Sequence, residues 1–164
     1  MDKLLLMRLF PVGRGGQLAH DILDADQYRA AISCLRRLER KYGRPALSLQ
    51  CALRHLETRG SAPGHGEGSN PCDLVTESFG LAPDGRLLSS PWAINGKGQP
   101  MHEFFVLGNL ANTPLSDILA SRRVIDIRSR ADDNFGHCKI FAFLNSNKPN
   151  PIDRLTDATD PLYS

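Results

Sequence analysis

The sequence contains four cysteines, Cys34, Cys51, Cys72 and Cys138, and only a few kinds of chemistry are open to them. Export is not expected, because the apolar run at positions 4–7 is too short for a signal-peptide core, and we predict a cytoplasmic location. In the cytoplasm, thiols are expected to be free or to bind metal rather than to form disulfides. No two of them have the C-x-x-C spacing of a zinc knuckle, so a self-contained zinc site is not expected.

Cys72 begins the most informative tract of the chain. Gly85 follows it by thirteen residues, and Ser90 follows Gly85 by five. Between them, a Pro-Asp-Gly turn at positions 83–85 separates short runs at 79–81 and 86–88. A turn of this composition between two such runs predicts a β-hairpin.

A helix is predicted to follow the hairpin. Thr113 serves as its N-cap and Pro114 occupies its first helical position. The apolar spacing allows this helix to continue through Val124 and Ile127 toward Arg130. Beyond it lies a short apolar segment at 139–144, and the tail, rich in Pro, Asp and Asn, is expected to be irregular and to lie on the surface.

The N-terminal portion has the pattern of a βαβ unit. Residues 3–10 form an apolar run bounded by breakers, which is typical of a buried strand. Asp24 and Gln27 can form a capping box for a helix that Gly43 then ends. Residues 46–53 alternate apolar and polar side chains and are predicted to form a second strand, which would carry Cys51. The predicted fold class is therefore α/β.

Composition and breakers set the domain organisation. Residues 59–71 are rich in Gly, Pro and Ser and are predicted to be a linker between portions 1–58 and 72–164. A hydrophobic content of 41% indicates a globular chain. The formal charge of +2 is too small to argue for nucleic-acid binding, and no apolar stretch is long enough for a membrane span.

The tract from Cys72 onward, with Pro83-Asp84-Gly85 and the phrase Leu107-Gly108-Asn109-Leu110, resembles a SPASM or twitch domain. This is the C-terminal iron–sulfur module of many radical S-adenosylmethionine (radical SAM) enzymes. The resemblance implies that Cys72 matches the first ligand of an auxiliary [4Fe–4S] cluster, that Ser90 stands at the second, and that Cys138 is a candidate for a later one. A serine hydroxyl is a poor iron ligand, so part of the cluster chemistry is missing. The alternative is that Cys72 and Cys138 are buried small side chains.

The stretch Arg8-Leu9-Phe10-Pro11-Val12-Gly13-Arg14-Gly15 is similar to the end of a late barrel strand in the same family. The resemblance implies a partial (β/α) barrel, with Gly13, Arg14 and Gly15 facing S-adenosylmethionine and substrate. Glycine allows close approach of backbone amides, and Arg14 could pair with a carboxylate. The alternative is a tight turn with an exposed arginine.

The family's C-x-x-x-C-x-x-C loop, which holds the radical-generating cluster, has no counterpart in the sequence. We therefore expect a truncated or split radical SAM/SPASM protein that cannot initiate radical chemistry alone. It would position a peptide or cofactor precursor, and would use S-adenosylmethionine only if another chain completes the site. The expected partners are an N-terminal radical SAM half or a second copy. The alternative function is a non-catalytic peptide- or protein-binding module.

Overall fold

The computed structural model describes residues 2–58 and 70–163, and within them the chain has mixed α/β structure. Its elements, in chain order, are β1 (Lys3–Leu6), a 3-10 helix (Gly13–Asp21), α1 (Ala25–Tyr42), β2 (Ala46–Leu49), α2 (Cys51–Thr58), β3 (Gly80–Leu81), β4 (Arg86–Leu88), a second 3-10 helix (Glu103–Phe105), β5 (Val106–Asn109), α3 (Leu115–Leu119), α4 (Arg122–Ser129), α5 (Lys139–Asn145) and α6 (Pro151–Leu155).

The βαβ unit is confirmed: β1 and β2 pair in parallel, with Leu4 opposite Leu47, and α1 connects them. The predicted extent and burial of the first strand are wrong, because β1 ends at Leu6 instead of residue 10 and Leu5 is exposed. The Asp24 carboxylate accepts a hydrogen bond from the Gln27 backbone N–H, and Gln27 returns one to the Asp24 backbone. Gly43, in the left-handed region, ends α1. Among the described residues the sheets have only two and three strands, so they contain no closed barrel.

The prediction that the second strand reaches residue 53 is wrong. Pairing between β2 and β1 ends where the Gln50 N–H donates to the Leu6 carbonyl. The Leu53 N–H then donates to the Gln50 carbonyl at the start of α2. Cys51 is therefore the first residue of a helix. Ala52, Leu53 and Leu56 are all buried. Their spacing matches one helical face, and this burial decides the local structure over the two-residue alternation.

The hairpin is confirmed as β3 and β4, and β5 extends it to a three-stranded antiparallel sheet that the sequence did not indicate. The single helix predicted from Thr113 to Arg130 is instead two helices. Pro114 lies at the N-cap of α3, not at its first helical position, and Ser121 caps a new helix, α4.

The prediction of an irregular surface tail is also wrong. The tail includes α6, in which Leu155 is fully buried, and Leu162 is only 2% exposed. These two leucines join a core that contains residues of both the N-terminal and the C-terminal portion, among them Leu53 and Phe141. The predicted linker lies outside the described residues except for Asn70 and Pro71, and the domain division stays a prediction.

Candidate functional site

Three of the four cysteines line one small cavity of about 30 Å³. Cys51 reaches it from the first turn of α2, Cys72 from the loop before the hairpin, and Cys138 from the N-cap of α5. Ser90, which follows β4, lines the same cavity. The structure thus brings together Cys72, Ser90 and Cys138, the positions that the sequence singled out. It adds Cys51, which sequence reasoning had assigned to a strand core.

Cys72 and Cys138 are held by backbone contacts. The Cys72 N–H donates to the side-chain oxygen of Asn70 at 3.1 Å, and the Cys138 N–H donates to Asp160 Oδ2 at 2.9 Å. Burial raises the pKa of the Cys72 thiol and raises that of Cys138 to about 12. Both thiols therefore keep their protons at neutral pH.

Cys51 has a strained backbone, with φ of +24°. Its thiol faces the carboxylate of Asp73, with 3.9 Å between Sγ and Oδ1. Burial and, second to it, the Asp73 charge raise the pKa of Cys51 to about 11. Val75, a fully buried β-branched residue three positions after Cys72, also has a positive φ, of +63°. Such strain in a non-glycine residue persists only when the surroundings impose it, and it concentrates at functional sites.

Ser90 is buried, and its Oγ accepts a hydrogen bond from the Trp92 N–H at 3.2 Å. The Trp92 ring stacks on Phe10, with 4.6 Å between the centroids and nearly parallel planes. Phe10 and Trp92 also line the cavity, which therefore lies at the junction between the segment after β1 and the segment after β4.

Lys139 and Gln50 are cavity residues that sequence reasoning missed. The Lys139 ammonium is buried and donates to the Ala131 carbonyl and to Asn134. Burial lowers its pKa, and the nearby Cys72 opposes that effect. The Gln50 Oε1 atom is buried without a hydrogen-bond partner. No sequence signal marks either residue, because both acquire their surroundings only from tertiary packing.

The glycine loop packs against the C-terminal portion. The Gly13 N–H donates to the Ile94 carbonyl at 3.0 Å, and Gly13 has φ of +55°. A Cβ atom at Gly15 would lie 2.6 Å from the Phe10 carbonyl oxygen, so this position requires glycine for packing. Arg14 is exposed. A role of this loop in binding S-adenosylmethionine stays a prediction.

The described histidines His102 and His137 have structural contacts of their own. His102 Nδ1 accepts a hydrogen bond from the Phe104 N–H at 3.0 Å and caps the second 3-10 helix. His137 packs against the Tyr163 ring, with 4.7 Å between centroids. His65 lies outside the described residues. In the C-terminal portion, Asp133 and Asp153 both pair with Arg130.

The fit of a [4Fe–4S] cluster can be tested on this cavity. Within residues 2–58 and 70–163, no three His, Cys, Asp or Glu side chains converge as a metal-binding group in their present positions. A volume of about 30 Å³ has room for one or two waters. A four-iron cluster therefore does not fit unless the surrounding walls move apart.

A larger open groove of about 510 Å³ adjoins the cavity. Cys72 and Asp73 line both, so the groove borders the thiols directly. The remaining groove walls carry side chains of both charges, including Arg54, Arg128 and Glu77. A groove of this volume and mixed polarity can hold a small ligand or a few residues of a peptide.

Comparison with known protein families, curated proteins and solved structures gives no significant match to this chain. Among the described residues, no helix has both the length and the apolar character needed to cross a membrane.

Proposed function

We propose that this chain is the C-terminal region of a truncated or split radical SAM/SPASM protein. It positions a peptide or cofactor precursor and cannot initiate radical chemistry alone. One observation carries the proposal: Cys72, Ser90 and Cys138, which match ligand positions of the resembled domain, line a single cavity although they are far apart in sequence.

The groove beside Cys72 is the proposed binding surface for the precursor. It has the volume that the thiol cavity lacks, and it lies against one of the proposed ligand residues. S-adenosylmethionine would enter only with a second chain. In that complex Gly13, Arg14 and Gly15 would lie near it, and the exposed Arg14 would pair with its carboxylate.

The exposed face of the parallel sheet supports a partner chain. Leu5 and Met7 are 54% and 38% exposed, and they point away from the face that buries Leu47 and Leu49. Parallel sheets are normally covered on both faces. An N-terminal radical SAM half, or a second copy of this chain, would supply the missing cover.

A non-catalytic peptide-binding module is the second candidate function. The observation that favours it is the groove itself, which is large enough for a few residues of a peptide and carries side chains of both charges. In this reading the thiols are neutral packing groups, as their raised pKa values allow.

The Ser90→Cys variant tests the first proposal. If position 90 is a ligand position, restoring a thiol there should let the cavity walls move apart around a cluster, and the chain should then retain about four iron and four sulfide atoms after anaerobic reconstitution. The wild-type chain should retain clearly less. Ser89→Cys is the matched control, because Ser89 is just as buried but is not among the residues that line the cavity.

Equal iron and sulfide contents in the Ser90→Cys and Ser89→Cys variants would overturn the assignment of position 90. The module function would then be favoured, and it predicts that peptide binding in the groove is unchanged when Cys138, which lines the cavity but not the groove, is replaced by alanine. Fluorescence titration with a peptide library measures that binding.

A further inference from the structure

We propose that the groove beside Cys72 binds a peptide segment that carries both an acidic and a basic side chain. Arg54 and Arg128 bind the acidic group, and Glu77 binds the basic one. The inference deepens the proposed function and rests on it, because that function makes this groove the binding surface for a precursor. It requires no cluster, no S-adenosylmethionine and no second chain, so it can fail separately.

The two arginines of the groove are each tethered to the loop before the hairpin. Arg54 Nη2 donates to the Pro71 carbonyl at 3.1 Å, and Arg128 Nε donates to the Val75 carbonyl at 3.0 Å. A guanidinium has five N–H donors, so most of the donors of each arginine stay available after this contact. Because the tethers already restrain both side chains, binding a carboxylate costs them less conformational entropy.

Neither guanidinium has an acidic partner. Within the part of the chain that the structure describes, no ion pair includes Arg54 or Arg128. Three acids nevertheless line the same groove: Asp73, Glu77 and Asp132. Charges of opposite sign that share a groove without pairing can each bind a group of a ligand, and such complementarity is how charged interfaces select their partners.

The acids of the groove determine the second charge of the ligand. Asp132 accepts a hydrogen bond from the Asn70 amide, and Asp73 faces the Cys51 thiol. The exposed Glu77 carboxylate has no such contact among the described residues, so it can accept a ligand cation. Three acids against two arginines would repel a phosphate dianion. A ligand of mixed charge is therefore favoured over a phosphorylated one or a nucleic acid.

The backbone of Val75 is an independent indication of a ligand site. Val75 is fully buried and β-branched, yet its φ is +63°. A left-handed conformation is an outlier for such a residue, and outliers of this kind cluster at ligand-binding sites. Here the conformation places the carbonyl that tethers Arg128.

Phe135 supplies an apolar contact in the groove. It is 39% exposed, and its ring packs edge-on against His55, with 5.6 Å between the centroids. Aromatic residues are enriched among the anchors of peptide and protein interfaces. The ligand should therefore present an apolar side chain beside its two charged ones.

Calorimetric titration of the full wild-type chain with blocked tripeptides tests the inference. The probes are acetylated tripeptide amides that contain one glutamate, one lysine and one phenylalanine in every order, so that only their side chains are charged. At least one order should bind. Replacing its glutamate with glutamine should weaken binding about 10-fold, because contacts to two arginines are lost. Replacing its lysine with norleucine should weaken binding about 3-fold, as expected for one exposed ion pair.

Arg54→Gln and Arg128→Gln locate the carboxylate of the ligand. Each variant should weaken binding of the glutamate probe about 3-fold and leave binding of the glutamine probe unchanged, because the interaction exists only when both partners are charged. Glu77→Gln should likewise affect the lysine probe and not the norleucine probe. Arg37→Gln is the matched control: Arg37 is exposed on α1 and lies outside the groove, so this variant should bind every probe as the wild type does.

Failure of the wild-type chain to bind any of the tripeptides would overturn the inference, and so would equal affinities for the glutamate and glutamine probes. Equal losses of both probes in the two arginine variants would also overturn it, because the arginines would then only shape the groove. The wild-type comparison decides the matter even if an arginine variant fails to fold. Failure of the proposed function is recognised separately, because the iron experiment depends on Ser90→Cys and contains no peptide.

Discussion

Arg8 and Asp160 form an ion pair that is almost completely buried, with 2.7 Å between Nη1 and Oδ2 and side-chain exposures of 3% and 0%. The Arg8 guanidinium also lies 3.7 Å from the centre of the Phe141 ring. The Asp160 carboxylate accepts backbone N–H groups of Cys138 and Leu162 as well. Asp160 therefore joins the segment after β1, the start of α5 and the C-terminal tail.

Asp160→Asn should lower the free energy of unfolding by about 3–5 kcal/mol, because it leaves the buried Arg8 charge without a partner. Urea denaturation followed by circular dichroism measures the change. Asp26→Asn is the control, since it breaks an exposed pair with Arg29 and should change stability by no more than about 0.5 kcal/mol. Similar losses of stability in the two variants would contradict this role of the Arg8–Asp160 ion pair.

Thiol reactivity should separate the cysteines in the native chain. Thiolates attack disulfide reagents, so at pH 8 the exposed Cys34 should react first, while Cys51 and Cys138, whose pKa values are about 11 and about 12, should react slowly. Absorbance of the released reagent counts the thiols, and all four should react in urea. A rapid phase that survives in Cys34→Ser would contradict this.

The raised pKa of Cys138 determines how the free energy of unfolding changes with pH. Cys138 holds its proton in the folded chain up to a pKa of about 12, against an ordinary value of 9.0. Its contribution to stability is complete below that ordinary value and is lost as pH rises toward the folded pKa. The free energy of unfolding should therefore fall above pH 9 in the wild type, and fall less steeply in Cys138→Ala.

At the scale of elements, the hairpin turn depends on Gly85. Its φ is +85°, and a Cβ atom there would lie 2.6 Å from the Asn109 side-chain oxygen. That oxygen accepts the Ala111 N–H, and the same amide group donates to the Asp84 carbonyl, so Asn109 ties the turn to the end of β5.

Gly85→Ala should destabilise the chain more than Gly98→Ala does. Both glycines have a left-handed backbone, which costs an L-residue about 1–2 kcal/mol. Gly98 has φ of +72° and open space around it, so only Gly85 adds a steric clash. Thermal denaturation of the two variants measures the difference, and equal melting temperatures would show that Asn109 moves aside freely.

At the scale of the whole molecule, the C-terminal tail packs against the N-terminal portion. The Tyr163 hydroxyl donates to the Ala52 carbonyl in α2, and Leu162 enters the common core. Phe10 and Trp92 make a second connection between the portions. The thiol cavity lies beside these contacts, so its shape depends on both portions at once.

Leu162→Ala should lower the free energy of unfolding by about 2–5 kcal/mol, the usual cost of removing a buried leucine. Leu18→Ala, at a site that is 46% exposed, is the control and should cost much less. Chemical denaturation monitored at Trp92 measures both. If the two variants unfolded alike, the tail would not be part of the core.

Sequence alone determined the elements whose signals are local. The capping box at Asp24 and the stop at Gly43 define α1, and the Pro-Asp-Gly turn defines the hairpin, because each signal acts through neighbouring residues. The sequence also indicated Cys72, Ser90 and Cys138 as candidate positions, although it did not show that they share a cavity.

Tertiary structure decided what depends on distant partners. Cys51 changes from a predicted strand to a helix N-terminus because burial of the α2 face outweighs local alternation. The tail becomes ordered because Leu155, Asp160 and Leu162 find partners in the core. The convergence of Cys51 with the other thiols follows from the packing of two portions far apart in sequence, and no local pattern specifies such packing.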